Sequence, residues 1–227
     1  VTDHLSPAEI EELRKITTPT VSNAIERFNV RSRSEGFMDS SIRCMFPELG
    51  AMVGYAFTAT IRAHEPGPAP APWDVWEAIL KTPEPRVVVI QDLDAPDVVG
   101  SYWGEVNGSI HKALGCVGVV TDGGVRDLPE VQATGFHFFA SRVLVSHAYV
   151  HIVEFGGPVK VGGVTVNPGD LLHGDEHGVI TIPHEIAREI PKAAAEVEAQ
   201  ERPIIDFCRS REFSVDGLRR TVVAHPD

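Results

Sequence analysis

The spacing of apolar and polar positions changes character twice along the chain. The opening segment SPAEIEELRKI predicts a helix, with Ser6 as N-cap, Pro7 at the first helical position and acidic residues in the first turn. TTPTVSNAIERF predicts a second, shorter helix. MVGYAFTATIRA is dense in aromatic and β-branched residues and predicts a strand. EPGPAPAP, residues 65 to 72, reads as a proline-rich loop and not as a linker, because too little chain precedes it to complete a core. Beyond it, helix and strand alternate. WDVWEAILKT and GEVNGSIHKAL read as helices, RVVVIQDL and GCVGVVTD as strands buried on both faces, and LPEVQATG as a short helix ended by Gly135. HFFASRV and VLVSHAYVHIVEFG continue as strands, and GGPVKVGGVTVNPGDLLHGDEHGVITIP as short strands punctuated by glycine turns. IAREIPKAAAEVEAQE predicts a final helix, with Pro191 favouring a start near that residue. Alternation in the middle and hairpin material afterwards point to one α/β domain spanning residues 1–227, with layered sheets flanked by helices.

Composition narrows the partners. The chain carries 32 acidic against 20 basic residues, a formal charge of −12, so its summed field repels nucleic acid and anionic membrane. An anionic substrate therefore needs a local cation. No apolar run is long enough for a membrane helix, and VTDHLSPAEIEEL lacks the regions of a signal peptide, so a cytoplasmic location is expected. Cys44, Cys116 and Cys208 are odd in number and far apart, which speaks against a disulfide framework or a zinc ribbon.

The chemistry concentrates in residues 101–127. GCVGVVTDGGVRD carries a buried-looking strand into two adjacent glycines and then sets Arg126 beside Asp127. The spacings of dinucleotide and P-loop motifs are absent, but paired glycines permit a tight turn and close approach of backbone to a ligand. The bland alternative is a surface turn with an Arg126 ion pair. Upstream, SYWGEVNGSIHKAL places Gly104 and Glu105 at the start of a helix, whose free N–H groups and positive dipole end suit a carboxylate. Here the bland alternative is that Glu105 merely complements the dipole. QDLDAPD lacks the glycine and terminal glutamate of a calcium loop and reads as a solvated loop. His147 and His151 fall on one face of a strand, roughly 13 Å apart at Cα, which favours separate roles, and GDEHG reads as a turn between strands.

Taken together, WGEV, GCVGVVTDGGVRD and GGVTVNPGDLLHGDEHGVITIP resemble the family that includes 4-hydroxy-4-methyl-2-oxoglutarate/4-carboxy-4-hydroxy-2-oxoadipate aldolase and the regulator of ribonuclease activity A. The likeness covers about Thr17 to Ile205. Two positions depart from the usual pattern: Glu105 and Asn23 each stand where aspartate is more common. The resemblance implies a layered, swivelling β/β/α fold assembled as a homotrimer or a dimer of trimers, with sites at subunit boundaries and a carboxylate from a neighbour's C-terminal helix. It implies a divalent metal, Mg²⁺ or Mn²⁺, ligated by Asp127, with Glu105 holding metal-bound water and Arg126 engaging the substrate's keto oxygen. It also implies that the backbone amides of Gly104, Glu105, Val106 and Asn107 receive a pyruvate carboxylate. The expected activity is cleavage of a 4-hydroxy-2-oxo acid to pyruvate and a second oxo acid, with oxaloacetate decarboxylation as a side reaction through the same enolate. The alternative is a non-catalytic protein that masks a ribonuclease; that branch generally lacks the aspartate after the arginine, so Asp127 favours the enzyme.

Overall fold

A computed structural model describes residues 4–224. The chain opens with α1 (Pro7–Arg14), held by a capping box in which the Ser6 hydroxyl accepts from the Glu9 amide and the Glu9 carboxylate accepts from the Ser6 amide. Helix α2 (Thr18–Glu26) follows, with Thr17 as its cap and a proline in its first turn. A short strand β1 (Arg43–Cys44) leads to β2 (Met52–Arg62), whose eleven residues are buried almost throughout. Next come α3 (Pro72–Leu80), β3 (Arg86–Asp92), α4 (Glu105–Ala113), β4 (Cys116–Val125), α5 (Leu128–Ala133) and β5 (His137–Val143). The later part contains β6 (His151–Phe155), β7 (Val159–Val161), β8 (Val164–Val166), β9 (Leu171–Asp175) and β10 (Gly178–Ile182), and then α6 (Ile190–Arg209) and α7 (Val215–Ala224).

The main sheet has eight strands in the order β1-β5-β4-β3-β2-β9-β10, with β6 also paired to β2. Strands β2 to β5 run parallel, as strands joined by crossover helices must, while β1, β6, β9 and β10 add antiparallel partners. β7 and β8 form a separate hairpin. This is a mixed α/β single domain with helices flanking its sheet. Double burial explains why the central strands are runs of Val, Ile and Phe and not alternating patterns. One side of the sheet buries Val88, Ile90, Trp103, Val119, Phe136 and Phe138 beneath α3, α4 and α5. Elsewhere Leu13, Val21, Ile25, Tyr55, Ile190 and Ala194 join α1, α2 and α6 to the sheet.

Four expectations change. Gly123 and Gly124 do not make a turn; both lie inside β4, next to a register shift against β5 between Thr121 and Gly124. Their lack of side chains serves packing: a Cβ on Gly124 would come within 2.4 Å of Leu144 Cδ1, and one on Gly123 within 3.0 Å of Asp92 Oδ2. Residues 144–150 form an irregular loop where a strand is expected, and β6 starts only at His151. QDLDAPD is not solvated throughout, since Asp92 is buried and the Asp94 side chain is 6% exposed. Finally, α6 begins at Ile190 with Pro191 in its first turn, as the proline demands, but runs on to Arg209, with Pro203 inside it.

Candidate functional site

Two chain segments are zipped together to make the site. Trp103 bridges Val125 in parallel fashion, and the Trp103 carbonyl accepts from the Arg126 amide at 3.0 Å. The buried Ser101 hydroxyl lies 2.7 Å from the Trp103 carbonyl and 2.8 Å from that of Gly124, sharing its one proton between the strand and the approach to α4. Trp103 itself is fully buried between Phe136, Phe138 and His111. The consequence is positional: the N-terminus of α4 and the residues just after β4 meet at the carboxyl end of the parallel strands, where open α/β sheets place their ligands.

At that meeting point Asp127 adopts φ 55° and ψ 44°, a left-handed conformation uncommon for a residue other than glycine. The bend turns its carboxylate back onto α4, where Oδ2 accepts from the Glu105 amide at 3.0 Å. Among the described residues Oδ1 has no hydrogen-bond partner. Arg126 Nε lies 3.8 Å from Asp127 Oδ2, and both side chains are a little over one third exposed, so the pair adds little stability and neither group is consumed by it. Gly104 makes this approach possible. Its backbone is extended, and a Cβ there would come within 2.4 Å of Asp127 Oδ2 and 3.2 Å of Arg126 Nε. Of the first α4 amides, Glu105 donates to Asp127 and Gly108 to the Gly104 carbonyl, and those of Val106 and Asn107 find no acceptor among the described residues.

These groups line an open cleft of about 230 Å³ together with Ser101, Tyr102, His147 and Val150. The structure thus brings Gly104, Val106, Asn107, Arg126 and Asp127 into one place. Glu105 divides: its amide belongs to the site, while its side chain is exposed and lies outside the cleft lining. Asn23 sits elsewhere, in a groove between α2 and α6. Sequence reasoning missed Tyr102 and Val150; it singled out His147 with His151 and favoured separate roles, and the structure places only His147 in this cleft. Tyr102 stands beside the WGEV motif, and burial pushes its hydroxyl up to about 12, so it remains a neutral phenol. Behind the site, His111 accepts no charge: burial pushes it down to about 4, and its Nδ1 donates to the Asn107 carbonyl at 2.7 Å. Among the described residues no three His, Cys, Asp or Glu side chains group as a metal cage, and no helix is long and apolar enough to cross a membrane.

A family model described as RraA-like, Aldolase/RraA, matches residues 18–181. The chain belongs to the RraA-like family. A relative in Halalkalibacterium halodurans, named "Putative 4-hydroxy-4-methyl-2-oxoglutarate aldolase", is 31% identical over 137 residues, covering 57% of this chain and 65% of that protein. "Uncharacterized protein MJ0644" of Methanocaldococcus jannaschii is 30% identical over 133 residues, 57% of this chain and 64% of that one. Protein DlpA of Legionella pneumophila is 28% identical over 130 residues, 56% of this chain but 20% of DlpA. The matched region therefore spans less than two thirds of each of these relatives. Among solved structures, an uncharacterized protein from Pseudomonas syringae superposes with a TM-score of 0.74 at 25% identity, covering 97% of both chains. Streptomyces coelicolor RraAS2, described as an unusual member of the RNase ES inhibitor RraA protein family, superposes with a TM-score of 0.68 at 23% identity, covering 88% of this chain and 97% of that one. Family members thus carry names from both an aldolase and a ribonuclease-inhibitor branch.

Proposed function

We propose that the chain is a divalent-metal-dependent lyase that cleaves a 4-hydroxy-2-oxo acid, such as 4-hydroxy-4-methyl-2-oxoglutarate, to pyruvate and a second oxo acid, with oxaloacetate decarboxylation as a side activity. The observation that carries this reading is the Asp127 carboxylate, bent into the cleft by a left-handed backbone with Oδ1 uncommitted. A single hard oxygen donor in an open, water-accessible cleft fits Mg²⁺ or Mn²⁺, which keep several water ligands and need no dedicated protein cage. Asp127 would hold such an ion, which would supply Lewis-acid chemistry at the substrate's oxo group.

The chain's own groups account for the rest. The unpaired amides of Val106 and Asn107, at the positive end of α4, receive the 1-carboxylate. Arg126 reaches the 2-oxo oxygen, and its attraction grows as that oxygen gains the electron pair released from the broken C3–C4 bond. Because that interaction strengthens toward the transition state, it accelerates the step and does not merely hold substrate. Glu105 stands at the rim, where its carboxylate can order water. A role that only masks a ribonuclease uses Asp127 as no more than a cap on α4 and gives its second oxygen nothing to do. Val106 of the cleft lining, and Val145 and Tyr149 of the loop that carries His147 and Val150, are exposed apolar residues suited to cover by a second copy, and we propose a trimer or a dimer of trimers. A coupled pyruvate-release assay over a panel of 4-hydroxy-2-oxo acids and oxaloacetate, with and without Mg²⁺ or Mn²⁺, tests the reading: release that depends on the metal supports it, and no release from any member contradicts it.

A further inference from the structure

One side chain of the cleft has no part in the chemistry above. His147 lies in the 144–150 loop, and it lines the same cleft as Arg126 and Asp127. Its loop is fastened on several sides. The Ser146 carbonyl accepts from the Ser101 amide at 3.0 Å, the Ala148 amide donates to the Ser146 hydroxyl at 2.9 Å, and the His147 carbonyl accepts from the Val150 amide at 3.0 Å. Gly100 packs directly beneath, since a Cβ there would come within 2.5 Å of the His147 carbonyl oxygen. Ala148, next to His147 in this loop, is held at φ 46°, a positive value uncommon for a residue other than glycine. These ties anchor the loop to the segment that also carries Ser101 to Gly104.

The ring is oriented as well. His147 Nδ1 lies 2.7 Å from the Ala148 carbonyl oxygen. A carbonyl only accepts, so in the neutral ring Nδ1 carries the proton and Nε2 keeps its lone pair. The other titratable side chains of the lining are unsuited to accept a proton: Arg126 has no lone pair to offer, Tyr102 is a phenol whose burial opposes ionisation, and Asp127 is committed to the cation in the reading above.

We propose that His147 is the base that takes the proton from the C4 hydroxyl when the C3–C4 bond breaks, a role that rests on the aldol-cleavage reading of the site. Nε2 takes the hydroxyl proton. The O–H electron pair becomes the C4 carbonyl π bond, the C3–C4 bond breaks, and its pair passes into the enolate of pyruvate. C3 then takes a proton from water, and the imidazolium returns its proton to water through the open cleft. Decarboxylation of oxaloacetate yields the same enolate but has no hydroxyl proton to remove, so it bypasses His147.

That difference supplies the test. Wild type, His147→Gln and His147→Asn are assayed with Mg²⁺ for cleavage of 4-hydroxy-4-methyl-2-oxoglutarate and for oxaloacetate decarboxylation, with thermal melts as a check on folding. The expected result in both variants is a loss of cleavage kcat of about 100-fold or more, with decarboxylation within about 3-fold of wild type, the scale lost with a general base. Calorimetric binding of oxalate, which mimics the enolate and lacks a C4 hydroxyl, is expected to be unchanged. Equal losses in both reactions, no loss in either, or weakened oxalate binding overturns the assignment. A wild type that releases no pyruvate from oxaloacetate or from any 4-hydroxy-2-oxo acid of the panel overturns the lyase reading itself and this role with it, whereas an unchanged cleavage-to-decarboxylation ratio in active variants overturns only His147.

Discussion

Strands β3 and β4 lie side by side, and aspartates stand at the end of each, but the two ends handle their carboxylates differently. Asp94, beyond β3, accepts from the Ala63 amide at 2.6 Å and the His64 amide at 3.2 Å through one oxygen, and meets Arg62 at 3.4 Å through the other. Asp92 accepts from the Asp94 amide at 2.9 Å, and Asp122 of β4 in turn accepts from the Asp92 amide at 2.7 Å. This is a chain of acids spent on tying loops to strands. Asp127, beyond β4, lines the cleft and gives one oxygen to the Glu105 amide, while among the described residues nothing donates to the other. An aspartate cluster therefore says little by itself about function. What decides is how many backbone N–H groups reach the oxygens, and how much water does.

Variants at the two ends should separate accordingly. Asp127→Asn preserves shape and can still accept from the Glu105 amide, yet loses the charge that attracts a hard cation. Metal-dependent pyruvate release should fall on the order of 1,000-fold, beyond the 10–100-fold typical of residues that only support a ligand. The melting temperature should hardly move; a large drop in it would make Asp127 a structural cap. Arg126→Lys keeps the charge but loses the planar fork, and steady-state kinetics should show kcat reduced by about 100-fold with little change in metal affinity. Gly104→Ala puts a methyl group against Asp127 Oδ2 and should lower activity by about 10-fold or more through misplacement of the carboxylate. Normal turnover in that variant would mean that the close approach of Gly104 to Asp127 is irrelevant.

At the other end the effects should fall on stability. Asp94→Ala leaves the Ala63 and His64 amides without their acceptor and should cost about 1–3 kcal/mol in chemical denaturation while sparing activity in the folded fraction. Asp122 makes a pH-dependent case. Burial pushes its carboxyl up to about 6 from an ordinary value near 3.8. The folded state therefore holds its proton more tightly than the unfolded chain does. The associated stability is full below the unfolded value and is lost as pH rises through about 6. Asp122→Asn should melt several degrees higher than wild type at pH 7.5, on the order of 1–2 kcal/mol, with the advantage gone by about pH 4. A variant that is less stable at both pH values would show that the ionised carboxylate is needed for the Asp92 amide.

Much of this was readable from residue order. The buried strands RVVVIQD and CVGVV follow from continuous apolar runs, and the helix that starts just after Gly104 was legible in GEVNGSIHKAL. Arg126 and Asp127 were legible as a pair at a strand end, and so was the approach of α4 to them. The reason for the glycines was not. It lies in Leu144, which arrives from the loop after β5 to fill the space beside Gly124, a contact with no local signature. The cleft's third wall was hidden for a related reason. LVSHAYV has the apolar density of a strand, but Val145 and Tyr149 face outward in an exposed loop, so the pattern that suggests a pleated surface here builds the rim of the site. The fate of QDLD was equally illegible, because the donors that bury Asp94 come from Ala63 and His64, far back in the chain.

The second carboxylate oxygen of Asp127 decides whether this cleft binds a cation. Titration of the metal-stripped protein with Mn²⁺, followed by electron paramagnetic resonance of the free ion, counts bound cations without any need for substrate. Wild type and Arg126→Lys should each bind one Mn²⁺ per chain with similar affinity, and Asp127→Asn should bind none in the same range. Equal binding by wild type and Asp127→Asn would contradict the account, because the cation would then sit elsewhere and the strained carboxylate at the end of β4 would be only a cap on α4.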